Sequence, residues 1–181
     1  MLTHRQVMDC IISCLSVDLL EPKWAAMLEP GDPVESGHCC IASEALYHLA
    51  GGREAGFKSV VCPYLRGKDG KIYFGHLDED MFSNKETHWW IVAPLRNKAG
   101  AGEILDVTVK QYTEALEHPA PFNYSMGRNC AFMRQDGLPS HRARTLMDRV
   151  ISKLGISECE QYKMENINSF CNPIDIWENG S

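Results

Sequence analysis

The chain has 181 residues, 44% hydrophobic and 23% charged, and a net charge of −6 from 18 basic and 24 acidic side chains. That length buries a core without cross-links and reads as a single domain over 1–181, with its core in about 35–150. The acidic balance leaves no Lys/Arg-rich face to follow phosphates, so nothing points to nucleic acid, and no apolar run nears the roughly 20 residues that cross a bilayer.

The first 20 residues lack the basic, apolar and small-residue succession of a secretory leader, so a cytoplasmic protein with free thiols is expected. The eight cysteines contain no Cys-x-x-Cys pair. A helix is predicted over about 3–20. Thr3 and Gln6 make a capping box, and Val7, Cys10, Ile11, Cys14 and Leu15 recur at helical spacing up to the stop at Pro22. Residues 29–37 are a loop by composition.

A second helix runs from His38 or Cys39 to Leu49 and ends at Gly51-Gly52. Residues 56–75 suggest irregular strands turning at 68–70, and the polar stretch 76–87 suggests loop. His88–Pro94 and Glu103–Val109 read as two strands of one hairpin, joined by a Gly-rich turn. A short helix near 109–117 precedes Pro119 and Pro121. The last helix, about 140–154, opens at Pro139-Ser140 and carries Ala143, Leu146, Met147, Val150, Ile151 and Leu154 before Gly155. Arg142, Arg144 and Arg149 then form its solvated face. The order of helices, antiparallel strands and helix is α+β.

Three features carry chemistry. Gly37-His38-Cys39-Cys40 closes a loop and opens a helix, where unpaired N–H groups and the helix dipole favour thiolate and can hold an oxyanion. On the helical wheel Cys39 lies at the edge of the apolar face and Cys40 points away from it. Cys39 is therefore preferred as nucleophile, with Cys40 the alternative. His88 opens one strand and Asp106 lies in the next. Direct pairing of the two, centred on Asn97, would put their Cβ atoms about 4.5–5.5 Å apart. Asp106 would then fix the ring of His88 while its other nitrogen faced the thiol, and a slip of one residue would separate them. Around this candidate triad His38, Trp89 and Asn129 are candidate substrate-binding residues. His38, Cys39 and Cys40 are good zinc ligands by type, but adjacent residues do not easily reach one ion, so no metal and no cofactor is expected.

The stretches Gly37-His38-Cys39-Cys40-Ile41-Ala42-Ser43-Glu44-Ala45-Leu46-Tyr47-His48-Leu49-Ala50-Gly51-Gly52, Thr87-His88-Trp89-Trp90 and Gly102–Tyr112 resemble the YunG-like proteins, small proteins of bacteria and their phages. Tyr124–Met133 and Pro139–Ala143 resemble the phage members, so the likeness covers about 35–150. The order Cys, His, Asp also resembles the papain-like and transglutaminase-like superfamily. That likeness implies a central helix bearing Cys39 on an antiparallel sheet, and acyl transfer from an amide (a protein or small-molecule substrate) through a thioester. Glu35, Ser36, His38 and Trp24 are the candidates for a second oxyanion donor. The alternative is an inactive papain-like binding protein, directed at a host protein in the host cytoplasm if the chain is phage-encoded.

Overall fold

The computed structural model describes residues 2–67, 72–74, 82–94, 102–109, 111, 124–132 and 137–155. The predicted turns at 68–70 and 96–101, most of the predicted helix at 109–117 and the chain beyond 155 lie outside the described residues. Helix α1 spans His4–Ile12 and begins with the expected capping box. Thr3 Oγ1 accepts from the Gln6 N–H at 3.2 Å, and Gln6 Oε1 accepts from the Thr3 N–H at 2.9 Å.

The helix ends well short of Leu20. The Ser13 hydroxyl turns back onto the Cys10 carbonyl at 2.7 Å. Ser16 is extended, and its hydroxyl accepts from Arg149 at 2.6 Å. A 3-10 turn at Val17–Leu19 follows. Pro22 is not a terminator but the first residue of a short helix α2, Pro22–Ala25, where its missing N–H costs nothing.

Helix α3, Cys39–Leu49, is central. Seven of its residues beyond Cys39 are buried, including Ser43 and Glu44, so its polar positions are spent internally. Ser43 Oγ donates to the Trp89 carbonyl at 2.8 Å, seating the helix on the sheet. Glu44 accepts from the Ser140 N–H at 2.8 Å and from its hydroxyl at 2.6 Å. The helix ends at Gly51 (φ 91°) and Gly52 (φ 57°), left-handed conformations that glycine adopts without strain. Helix α4 is His141–Leu154, capped by Ser140 and stopped by Gly155 at φ 65°. It packs across α1 and α3 through Ala143, Leu146, Met147 and Val150.

The Glu44–Ser140 pair therefore joins the middle of α3 to the start of α4. Glu44→Ala leaves the half-buried Ser140 donors without their carboxylate. It is expected to lower unfolding free energy by about 1–2 kcal/mol in a urea titration, with Glu44→Gln between the two.

The sheet is antiparallel throughout. It comprises β1 (Lys58–Gly67), β2 (Ile72–Phe74), β3 (Phe82–Ala93), β4 (Glu103–Leu105) and β5 (Arg128–Asn129). The order is β2-β1-β3-β4, and β5 joins β2 on the outer edge of β1. Two expectations change here. The polar stretch 76–87 was expected to be loop, yet β3 starts at Phe82, because β1 is ten residues long and pairs with it from Lys58 opposite Val92 out to Arg66 opposite Asn84. A strand that extends past the core needs backbone partners, not apolar side chains. The second hairpin strand is shorter than expected, because β4 ends at Leu105 and the chain turns at Asp106.

Helices lie against the sheet around one core, built on Ile11, Leu19, Leu46, Leu49, Ile91, Leu105 and Leu146. The architecture is α+β, as the order of elements predicted. No helix of the described residues is long and apolar enough to cross a membrane.

Candidate active site

Cys39 is the first residue of α3, so its N–H belongs to the first turn, which has no intrahelical acceptor. The loop before it is shaped by Gly37 at φ 74°, where a Cβ would also stand 3.3 Å from the Leu20 side chain. His38 follows and is 1% exposed. Its Nδ1 lies 3.0 Å from the Ser36 carbonyl and its Nε2 3.0 Å from the Ser16 carbonyl. Both ring nitrogens are thus engaged with the backbone, tying the lead-in of α3 to the turn after α1.

The two adjacent cysteines have different surroundings. Cys39 Sγ donates to the Thr87 carbonyl at 3.4 Å, one residue before His88, and is close enough to the His88 ring to favour its charged form. Cys40 instead faces a small cavity walled by Leu20, Trp24, Glu44 and the Glu21–Arg142 ion pair. Burial, helped by Cys39 and Glu44, pushes the Cys40 thiol up to about 12. A thiol held there stays protonated at neutral pH and is a poor nucleophile. The structure brings Cys39 to the histidine and leaves Cys40 on another side of the helix.

His88 is fully buried. Its Nε2 bonds Asp106 Oδ2 at 2.6 Å. The register that achieves this is not the direct pairing expected. Ile91 stands opposite Leu105, where the pairing centred on Asn97 would have put Glu103. The displacement is two residues, and side chains alternate with a period of two, so His88 and Asp106 still share a face and meet as diagonal neighbours. Asp106 is further held by the Thr108 N–H on Oδ1 at 3.1 Å and by the Tyr124 hydroxyl on Oδ2 at 2.8 Å.

Burial alone would lower the His88 pKa. The Asp106 carboxylate, together with Cys39, outweighs it and raises it to about 9. With Nε2–H committed to Asp106, the nitrogen that gains the proton is Nδ1.

The other candidates fall in different places. The Trp89 side chain points to the helix side of the sheet, packs on the core and stacks on Phe132 with ring centroids 5.4 Å apart. Asn129 is exposed on β5, opposite Val60. Of the oxyanion candidates, Glu35 accepts the His38 N–H on its carbonyl at 3.0 Å and Ser36 accepts from the His38 ring. Trp24 lies under the Lys23 ammonium at 4.9 Å. Among the described residues no group of three His, Cys, Asp or Glu side chains is placed to hold a metal.

Two residues at the site, Gln111 and Tyr124, escaped the sequence reading, as did the contact of Thr108 with Gln111. Gln111 Nε2 donates to Thr108 Oγ1 at 3.0 Å and lies 3.5 Å from His88 Nδ1, while its Oε1 accepts from the Gly37 N–H at 3.4 Å. Thr108 and Gln111 lie two and five residues past Asp106, a local signal that a turn after the acid would return to the site. Tyr124 is 18 residues away in sequence, and no periodicity reports it. Burial, then Asp106, pushes the Tyr124 phenol upward, so it stays a donor.

Removing that donor leaves the Asp106 oxygen to His88 alone. Tyr124→Phe is expected to raise the His88 midpoint, read from its ring nitrogens by NMR, by less than the roughly 1–3 units a whole charge brings. An unmoved or lowered midpoint would contradict this.

No family model, no curated protein and no solved structure matches the chain.

Proposed function

We propose that the chain is a cysteine-nucleophile acyl-transfer enzyme that acts on an amide bond through a thioester. Its plan is papain-like and transglutaminase-like, as the order Cys39, His88, Asp106 implies. The observation that carries the reading is the line of side chains from Cys39 to His88 to Asp106, the last contact being 2.6 Å and fully buried. Buried His–carboxylate pairs also serve structure. A thiol at a helix N-terminus on the other side of the ring is what makes this one a nucleophile's base.

In molecules whose His88 Nδ1 is bare, the Cys39 S–H proton passes to it and the sulfur attacks the amide carbon. The carbonyl oxygen takes the charge and is held by the Cys39 N–H. His88 returns the proton to the departing nitrogen, the C–N bond breaks, and a thioester remains. Water or an amine then attacks that thioester, with His88 again as base. Asp106 keeps the ring in one tautomer and one orientation throughout.

The test is chemical. Cys14, Cys40 and Cys130 are more exposed than Cys39, which is 8% exposed. Exposure alone would make them react first with iodoacetamide at neutral pH. The proposal expects Cys39 to be alkylated first, and His88→Asn to slow that reaction by about 10²-fold or more. Reaction in order of exposure would remove the enzymatic reading and leave a binding protein.

A further inference from the structure

The side chain of Gln111 bridges two parts of the site that the mechanism treats separately. Its amide nitrogen faces His88 Nδ1 at 3.5 Å and its amide oxygen holds the Gly37 N–H at 3.4 Å. Thr108 Oγ1, at 3.0 Å from Nε2, fixes the amide plane between them. Thr108 is fully buried and Gln111 half-buried.

This orientation suits one charge state of the ring. An amide N–H can donate to Nδ1 while Nδ1 is bare. Once Nδ1 carries the proton from Cys39, two donors face each other. A half-turn of the amide about its last torsion, a broad two-fold rotation, removes the conflict. The oxygen then accepts from Nδ1–H and from the Thr108 hydroxyl. The nitrogen now meets the Gly37 N–H, donor against donor, and that bond is lost.

We propose that Gln111 is a positioning residue that couples the charge on His88 to the Gly37 N–H. It occupies this donor while the ring is neutral and releases it when the ring is protonated. The released N–H, two residues ahead of Cys39, is then a second donor for the substrate oxygen. It is available whenever the ring carries the proton, including the step that creates the oxyanion. This rests on the Cys39–His88 reading above. Among the described residues, the groups around the ring include Asp106 on Nε2, Cys39 from α3, Gln111, Trp90 along β3 and Cys62 directly opposite on β1. Tyr124 stands behind Asp106, and Glu86 lies two residues back along β3.

Carbon-detected NMR on the full, isotopically labelled chain tests it, following the Gly37 nitrogen and the His88 ring nitrogens from pH 5 to 10. In the wild type the Gly37 nitrogen is expected to shift with the same midpoint as His88. In Gln111→Leu the ring should still titrate and Gly37 should stay flat. Gln111→Glu, with an acceptor at both ends, should hold Gly37 at its bonded value across the range and serves if the leucine variant does not fold. A flat Gly37 signal in the wild type while His88 titrates overturns the coupling, as does a signal that still follows His88 without Gln111. Failure of the underlying reading looks different: iodoacetamide reactivity of Cys39 would then be unchanged by His88→Asn, whatever Gly37 does.

Discussion

Asp106→Asn is expected to slow alkylation of Cys39 at pH 7 by about 10²–10⁴-fold, the span that a positioned base contributes. Three donors point at this carboxylate: His88 Nε2, the Tyr124 hydroxyl and the Thr108 N–H. An asparagine has one acceptor oxygen. Its amide nitrogen must face either Thr108 or the pair of His88 and Tyr124, and the ring loses its tautomer in the second case. Burial, no longer opposed by a charge, then lowers the His88 pKa below its ordinary value.

The same substitution has a stability signature with a definite sign. The folded His88 pKa, about 9, lies above the ordinary 6.5. Its contribution is therefore fully present below about pH 6.5 and disappears as pH rises through about 9. Urea unfolding of the wild type should weaken across that window, beyond what the remaining groups give. In Asp106→Asn this pH dependence should flatten, with a loss of about 3 kcal/mol at pH 6, the low end for breaking a buried pair because the ring can shed its proton. A variant as stable as the wild type at pH 6, with the same slope towards pH 9, would show that the pair carries neither role.

What the sequence made legible was local. The capping box at Thr3, the glycine stop after Leu49 and the Ser140 cap with the stripe from Ala143 to Leu154 are encoded within a few residues of where they act, and the structure has each. The position of Cys39 on α3 followed from the same local rules. The misreadings involve partners distant in sequence. The end of α1 is set in part by Arg149, which takes the Ser16 hydroxyl, and the polar start of β3 is set by the length of β1. The contact between His88 and Asp106 was reached through a register that differs by two residues, and it survived because the error was even. Tyr124 was invisible because only the sheet brings it to Asp106.

A large structural effect is expected at Gly127. This glycine follows the 3-10 turn Tyr124–Met126 and precedes β5. A Cβ there would stand 2.3 Å from Trp90 Cζ2 and 2.6 Å from Val60 Cγ1. Neither neighbour yields without cost, since Trp90 is 1% and Val60 6% exposed. The position requires absence of bulk rather than an unusual backbone. Gly127→Ala must therefore push β5 away from β1 or displace the indole, at a cost of about 3 kcal/mol, the upper end for overpacking. The indole packs against the Tyr124 ring at 5.2 Å, and Tyr124 holds Asp106. Displacement should therefore reach the site, moving the His88 midpoint upward as Tyr124→Phe does. Trp90→Phe removes the offending atoms, so Gly127→Ala with Trp90→Phe should be less destabilised than the two single variants summed, a coupling read by a double-mutant cycle in urea. Strict additivity would mean that the methyl group meets something other than the indole. A stability loss without any change at His88 would mean that Tyr124 keeps its place when β5 does not.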